Sequence, residues 1–248
     1  MYEIFDDYCW TKEKKVITKD VHRIQGLGNF AYWNLTNSTA PSPMHYHSNI
    51  IEIHCMIKGK RYTQFEKDHM ITRYTYTGNQ MFIAFPFEWH SNGSEPQTPC
   101  EFFAFQIDIS NPYDLLGLNK EYSYALYQQL IRLKNHLLEV GKTHINYLKT
   151  AFTFFSAKTT EDFRIGVQFL TCFLFNLQFL TPVIQNQTLQ IDQNIQDAIH
   201  YLTDNIRQNI SLAELAKVSG YSLSYFKMKF KAETGITPLE YINMQKSK

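Results

Sequence analysis

The stretch from Ile210 to Gly235, ISLAELAKVSGYSLSYFKMKFKAETG, constrains this chain more than any other. Its spacing predicts two short helices joined by a tight turn. Ser211 can cap the first, and Glu214 three residues on completes a capping box. Leu212, Leu215 and Ala216 form its inner face. Gly220 stands where the backbone must turn, and a positive φ costs little without a Cβ. Ser222 can cap the second helix. Phe226 and Phe230 are four apart and share an inward face. Ser224, Lys227, Met228 and Lys231 follow the spacing i, i+3, i+4, i+7 and share the opposite face. Gly235 is the expected stop. A helix pair with a polar, basic outer face on its second member has the geometry of a helix-turn-helix, in which that member enters the DNA major groove. An ordinary helical hairpin with solvated lysines is the alternative. The coincidence of cap, turn glycine and paired phenylalanines argues against it.

A length of 248 residues leaves room for two domains or one large one, and 44% hydrophobic with 15% aromatic residues can bury a sizeable core. Net charge is only +1, so no global field draws the chain to nucleic acid. A footprint must be local, and Lys227, Lys229 and Lys231 supply one. The cysteines Cys9, Cys55, Cys100 and Cys172 are scattered without a CxxC pair, which fits a reduced, cytoplasmic protein. The acidic N-terminus shows no secretory h-region. The apolar run from Ile165 to Leu180 is broken by Gln168, Asn176 and Gln178 and is shorter than the ~20 residues of a membrane span. It reads as a buried helix.

From Val21 to about Ile109 the pattern is strand-like. Residues 31–35, 50–57, 61–65, 81–85 and 101–107 are rich in β-branched and aromatic side chains. Turn residues separate them at Gly26/Gly28, Pro41–Pro43, Lys58-Gly59-Lys60, Thr77-Gly78-Asn79 and Asn92-Gly93. A barrel or double-sheet jelly roll follows. After Asn111-Pro112 helical periodicity takes over. Leu126, Leu130, Leu133 and Leu137 predict one long helix over 122–140, stopped at Gly141. Further helices are expected over 143–156 and over 162–180, the latter ended by Thr181-Pro182. Residues 183–190 read as a linker, and Asp192 caps a helix reaching Arg207. The expected fold class is α+β: a β-barrel over 1–114, a helical region and linker over 115–188, and an all-α helix-turn-helix unit over 189–248.

A second informative stretch is His45-Tyr-His47-Ser-Asn-Ile-Ile-Glu52, followed by Gly59, Gly78, Pro86 and His90. It resembles the two motifs of the cupin barrel: His-x-His, four residues, Glu, six residues, Gly, then a downstream histidine after a proline. The resemblance implies a cupin-like jelly roll with His45, His47, Glu52 and His90 brought together. Extended backbone already puts His45 and His47 on one face. Three imidazoles and a carboxylate suit zinc, iron, manganese or nickel. The second motif departs from the enzymatic pattern, since Pro86-Phe-Glu-Trp-His90 has Glu88 where glycine is usual and one residue fewer. No cofactor is therefore expected. These side chains would line a ligand pocket through hydrogen bonds, and they are the candidate ligands should a divalent metal bind. Tyr32, Trp33, Tyr46, Phe82, Phe85, Phe87 and Trp89 would make an aromatic interior, although Phe82 and Phe85 read first as plain core. Aromatic faces stack on sugar C–H faces, and the histidines with Glu52 can bond hydroxyls, so a sugar is the expected small molecule. His45, His47, Glu52, His90, Trp33 and Tyr46 are the ligand-binding candidates.

The runs Leu212-Ala-Glu-Leu-Ala216, Ser219-Gly-Tyr-Ser222, Phe230-Lys231 and Thr234-Gly-Ile-Thr-Pro-Leu-Glu-Tyr241 resemble the first helix-turn-helix of the AraC/XylS family of transcription regulators. About forty residues are in register. The resemblance implies a ligand-responsive, sequence-specific DNA-binding regulator rather than an enzyme, with a sensing barrel and dimerisation through the helical region. Matched position by position, Ser224, Lys227 and Met228 face base edges, and Lys231 and Tyr225, with Lys229, hold phosphates beside Ser222. Lys227 is the donor suited to guanine. Promoter DNA, a small-molecule effector and a second copy of the chain are the expected partners, and no membrane is among them. The family joins two helix-turn-helix units by a long helix. Here that helix would begin at Thr237-Pro-Leu-Glu240 and the chain ends at Lys248, so the second unit is expected to be absent. No Gly-x-Ser-x-Gly, phosphate loop or dinucleotide fingerprint is present. A metal-dependent cupin enzyme, an isomerase or dioxygenase with a helical appendage, is the rival reading.

Overall fold

The computed structural model describes residues 6–67, 70–93, 96–184, 192–234 and 236–246. The strands are β1 (Cys9–Trp10), β2 (Lys14–Ile17), β3 (Leu27–Leu35), β4 (Ile50–Lys67), β5 (Met70–Thr77), β6 (Gln80–Ala84), β7 (Trp89–Ser91), β8 (Cys100–Asp108) and β9 (Leu137–Glu139). The helices are α1 (Lys19–His22), α2 (Lys120–Ile131), α3 (Lys142–Ala157), α4 (Thr160–Asn176), α5 (Gln193–Asp204), α6 (Leu212–Val218), α7 (Leu223–Thr234) and α8 (Pro238–Lys246). One sheet runs β1-β2-β3-β8-β4-β6-β9, while β5 and β7 pair with β4 off that path. Every pairing is antiparallel. Two sheets sharing one strand make a cupin-like jelly roll, as the motifs predicted.

The shared strand corrects one expectation. Lys58-Gly59-Lys60 was expected to be a turn between two strands, but β4 passes straight through it. The register shifts between Met56 and Lys58, as it does at a β-bulge. Before the bulge β4 pairs with β8 and β6, and after it with β5 and β7. Gly59 has φ +84°, and a Cβ there would lie 2.7 Å from the Pro99 carbonyl oxygen, so glycine alone fits this corner. The bulge also changes which residues face inward. Glu52, His54 and Met56 line the interior before it, and Arg61, Thr63 and Phe65 after it.

Alternation gives the main sheet two buried faces. Met56, Phe82, Phe102 and Leu35 look into the barrel. Ile51, Ile53, Cys55, Ile83, Phe103 and Phe105 look outward, onto Leu126, Leu130, Leu148, Phe155, Leu170 and Phe173 of α2–α4. Fully burying each of these side chains contributes about 1.5–3 kcal/mol.

The single helix expected over 122–140 is wrong. α2 ends at Ile131, and Leu137 and Leu138 lie in β9, paired with β6. Leucine spacing matched a helix, but the exposed edge of β6 takes up that segment as an extra strand. Gly141 is the N-cap of α3 rather than a stop. α3 and α4 occupy the predicted segments, with a short 3-10 turn after α4. α5 ends at Asp204, short of Arg207, and the Asp192 carboxylate accepts from the Asn194 N–H at its start. Most of the expected linker, 185–190, and the expected stop at Gly235 lie outside the described residues. Among the described helices none is long and apolar enough to cross a membrane.

Candidate functional site

The C-terminal unit is built by local chemistry. The Glu214 N–H donates to Ser211 Oγ at 3.2 Å, and the Ser211 N–H donates to Glu214 Oε2 at 3.1 Å, closing the capping box of α6. Gly220 takes φ +68°, with nothing near enough to obstruct a side chain. Its conformation, not crowding, is what calls for glycine. Phe226 and Phe230 are buried with Ile195, Ile199, Leu202, Leu215 and Tyr241. α8 opens with a second capping box, Thr237 with Glu240.

Ser224, Tyr225, Lys227, Met228 and Lys231 are exposed, Met228 at 60%. An exposed methionine on a helix whose opposite face is fully packed leaves a surface open to a partner. Ser222 is turned to its own helix, its Oγ 3.4 Å from the Tyr225 N–H. Lys229 lies 2.8 Å from Glu233 and 3.7 Å from Asp192, so its charge is met within the unit.

In the barrel, His45 and His90 form a cross-strand pair. Each donates its backbone N–H to the other's carbonyl, at 2.9 and 2.8 Å. Their rings sit 4.3 Å apart, with His47 at 5.2 Å from His45. The carboxylate of Glu52 completes the group, and one ligand atom from each of the four lies within 4.8 Å of the others. Nδ1 of His45 faces the Pro43 carbonyl and Nδ1 of His90 the Glu88 carbonyl, each at 2.8 Å. A carbonyl takes only an N–H, so both Nε2 atoms carry the lone pair. His90 Nε2 is buried without a hydrogen-bond partner. Backbone-pinned imidazoles with free inward nitrogens match the outer-shell pattern of metal-ligating histidines. The donor set therefore fits a divalent transition metal better than the sequence alone implied.

Burial and the neighbouring His45 push the His90 imidazole down to about 3, and burial lowers His45. Both are neutral near pH 7. Burial would raise Glu52, but hydrogen bonds from His47 and His54 hold it well below the usual carboxylate range.

A cavity of about 240 Å³ opens beside this group, lined by Trp33, His45, Glu52, His54, Arg61, Phe102 and Gln106 among others. Trp33 stacks on Phe102 at 5.8 Å. Phe82 is buried in the barrel interior, and the other expected aromatics go elsewhere. Tyr46 packs on Trp89 at 4.7 Å, and both belong to the hydrophobic cluster of the C-terminal unit. Tyr32 lies against Phe152 of α3. Phe87 is 66% exposed at a positive φ.

Sequence reading missed His54, Arg61, Tyr76 and Gln106. His54 Nε2 is 2.9 Å from Glu52 Oε1, and Gln106 Nε2 donates to Glu52 Oε2 at 3.2 Å. His54 had a signal, standing two residues beyond Glu52 on the same strand face. Arg61 had none, because the bulge reverses which residues face inward.

The two parts define an architecture: a helix-turn-helix unit joined to a cupin-like, cavity-bearing barrel. Residues 202–243 match the family of bacterial regulatory helix-turn-helix proteins, AraC family. That match covers the C-terminal unit alone, where the sequence is that of an AraC-type helix-turn-helix. No curated protein sequence matches the chain. Among solved structures, an apo ToxT from Vibrio cholerae is similar at 13% identity, covering 95% of this chain and 98% of that one, with a TM-score of 0.36. A cupin protein from Bacteroides fragilis shares 14% identity over 44% of this chain and 86% of its own, with a TM-score of 0.32. Bacillus subtilis oxalate decarboxylase, which has Mn(II) centres, shares 16% identity over 51% of this chain with a TM-score of 0.32. This chain spans 37% of that enzyme's length.

Proposed function

We propose that the protein is a ligand-responsive, sequence-specific transcription regulator of the AraC family, acting in the cytoplasm and not as an enzyme. α7 lies in the major groove, with Lys227, Ser224 and Met228 toward base edges. Lys231 and Tyr225 hold phosphates, which position the unit without specifying sequence. Ser222 orients the start of α7 and sits beside the backbone. A small polar molecule, a sugar being the simplest fit to stacked aromatics and hydroxyl-bonding groups, enters the barrel cavity beside Trp33, His45, His47, Glu52 and His90. α2 and the 3-10 turn after α4 present exposed side chains, Tyr122, Tyr124 and Phe179, through which a second copy can pair. Two copies place two readers on adjacent half-sites, raising effective affinity.

The observation that carries this reading is the contact between the halves. Met44 and Trp89 of the barrel are buried in the same cluster as Phe226, Phe230 and Tyr241. Gln64 Nε2 donates to the Glu233 carbonyl at 3.1 Å, and the Tyr241 hydroxyl donates to Glu66 Oε1 at 3.3 Å. A ligand that binds two arrangements of this contact unequally shifts their populations and so moves the reader.

His45, His47, His90 and Glu52 would hold a divalent transition metal, which here would supply a Lewis-acidic anchor for a ligand oxygen. That donor set also favours the second reading, a cupin enzyme.

Selection of binding sites from a random duplex library at low salt tests the proposal. An enriched motif, bound more weakly as salt rises, is expected. Failure to retain any duplex, together with metal-dependent turnover of a small substrate, would favour the enzyme.

A further inference from the structure

Resting on the cavity as an effector site, we propose that its ligand is a small hydroxylated carboxylate whose carboxylate is received by Arg61. Arg61 is only 6% exposed and lines the cavity. Among the described residues no carboxylate forms an ion pair with it. Its Nη1 reaches Cys100 Sγ at 3.7 Å, and a thiol sulfur is a weak acceptor. Its Cζ lies 4.5 Å from the centre of the Phe102 ring. Its Nε is buried with no partner. An arginine cannot shed its proton to escape burial, so its charge needs a counter-charge.

The two acids of the cavity do not supply it. Asp6 is paired with Lys14 at 2.6 Å. Glu52 has Oε1 occupied by His54 and Oε2 by His47 and Gln106. Between Glu52 and Arg61 runs a relay of side chains: His54 Nδ1 is 3.0 Å from the Tyr76 hydroxyl, which is 3.1 Å from Thr63 Oγ1. Burial raises the Tyr76 phenol above its ordinary value, so its oxygen keeps its proton. Tyr76 therefore offers Arg61 a dipole and no anion.

A second orphan donor points the same way. Trp33 Nε1 is buried without a partner in the same cavity wall. Two unmatched donors on a wall carrying a fixed positive charge call for a ligand rich in acceptors. Glu52 and His45, also in the lining, suit hydroxyl groups. Planar, bidentate reception of carboxylate is what a guanidinium does best. At about 240 Å³ the cavity admits a compact metabolite and excludes a long chain.

The test uses the full chain, with and without EDTA, and four probes: gluconate and malate as carboxylates, glucose and sorbitol as neutral counterparts. Calorimetry and thermal shift are read at millimolar probe. At least one carboxylate is expected to bind, with its neutral counterpart about 30-fold weaker, and R61Q is expected to erase that preference. R61K should keep part of it. Without ligand, R61Q should melt no lower than the parent, since it removes an unpaired buried charge. Equal binding of neutral and acidic probes overturns the proposal, as does binding by none of them. A preference that survives R61Q but vanishes in EDTA assigns the carboxylate to the histidine group and also overturns it. Should R61Q not fold, the comparison on the unmutated chain decides. DNA retention is measured on the same samples. Its loss alongside intact carboxylate binding sinks the regulator reading and leaves this one standing.

Discussion

Trp89 and His90 are adjacent in β7 yet serve opposite sides of it. His90 joins His45, His47 and Glu52, while Trp89 is buried against the helix-turn-helix core. The facing segment repeats the alternation: His45 and His47 belong to the histidine group, Met44 and Tyr46 pack toward the helices. One pair of segments thus separates the histidine group from the helix-turn-helix core by the thickness of a backbone.

Trp89→Ala should therefore uncouple the two sites. Truncating a buried tryptophan costs about 3–5 kcal/mol, here drawn largely from the contact between domains. Ligand affinity and DNA affinity measured separately should stay within a few-fold of the parent. The change in DNA affinity that ligand produces should fall most of the way to zero. Calorimetry for the ligand and anisotropy for the DNA, each with the other partner present and absent, give the coupling directly. Coupling that survives intact would mean the signal travels elsewhere.

Lys227 and Lys231 share the exposed face of α7 and should fail differently. Lys227→Ala should cost about 1–3 kcal/mol on the preferred site and relax preference at one base pair. Lys231→Ala should weaken preferred and scrambled duplexes alike and lower the salt slope by about 0.9. Identical losses on both duplexes for both variants would contradict the division between base and phosphate contacts.

Much of this fold was legible because its signals are local. The capping box at Ser211, the turn at Gly220 and the buried pair Phe226/Phe230 are each specified within four residues, and the structure has all three. The His-x-His and Glu spacing located the polar group for the same reason. What was not legible depends on distant partners. Leu137 obeys helical spacing but answers to the free edge of β6. Tyr46 and Trp89 looked like barrel lining because nothing near them in sequence announces the helices they touch. Arg61 stayed hidden because a single bulge, marked only by Gly59, changes which residues face inward.

The histidine group makes a prediction that needs no ligand. Adding Zn²⁺ or Mn²⁺ to EDTA-treated protein should raise Tm, by about 2.7 kcal/mol of stabilisation once the metal is at a hundredfold its Kd. His90→Ala should abolish most of that shift, because His90 Nε2 is buried, lone-pair bearing and otherwise unsatisfied. An unchanged Tm, or a shift indifferent to His90→Ala, would return the group to a purely hydrogen-bonded role.

The last prediction concerns His22, at the end of α1 and remote from both sites. Its side chain is 5% exposed. Nε2 lies 2.7 Å from the Gly28 carbonyl, and Nδ1 accepts from the Ile24 N–H at 2.9 Å. This arrangement holds only for the neutral ring, since a protonated Nδ1 would meet the Ile24 N–H donor to donor. Burial lowers the folded-state value below the ordinary 6.5. The unfolded chain thus binds the proton first as pH falls, and stability rises with pH across the window. His22 should contribute nothing pH-dependent well above 6.5. It should then cost stability progressively as pH drops below 6.5 toward its folded-state value, where the loss levels off. His22→Gln keeps a donor for Gly28 and cannot titrate. Its urea midpoint should start below the parent's at pH 7.5 and fall less steeply toward pH 5.5, so that the two curves converge. Parallel curves would show that the acid sensitivity arises at other histidines and that His22 accepts its proton without loss of the Ile24 contact.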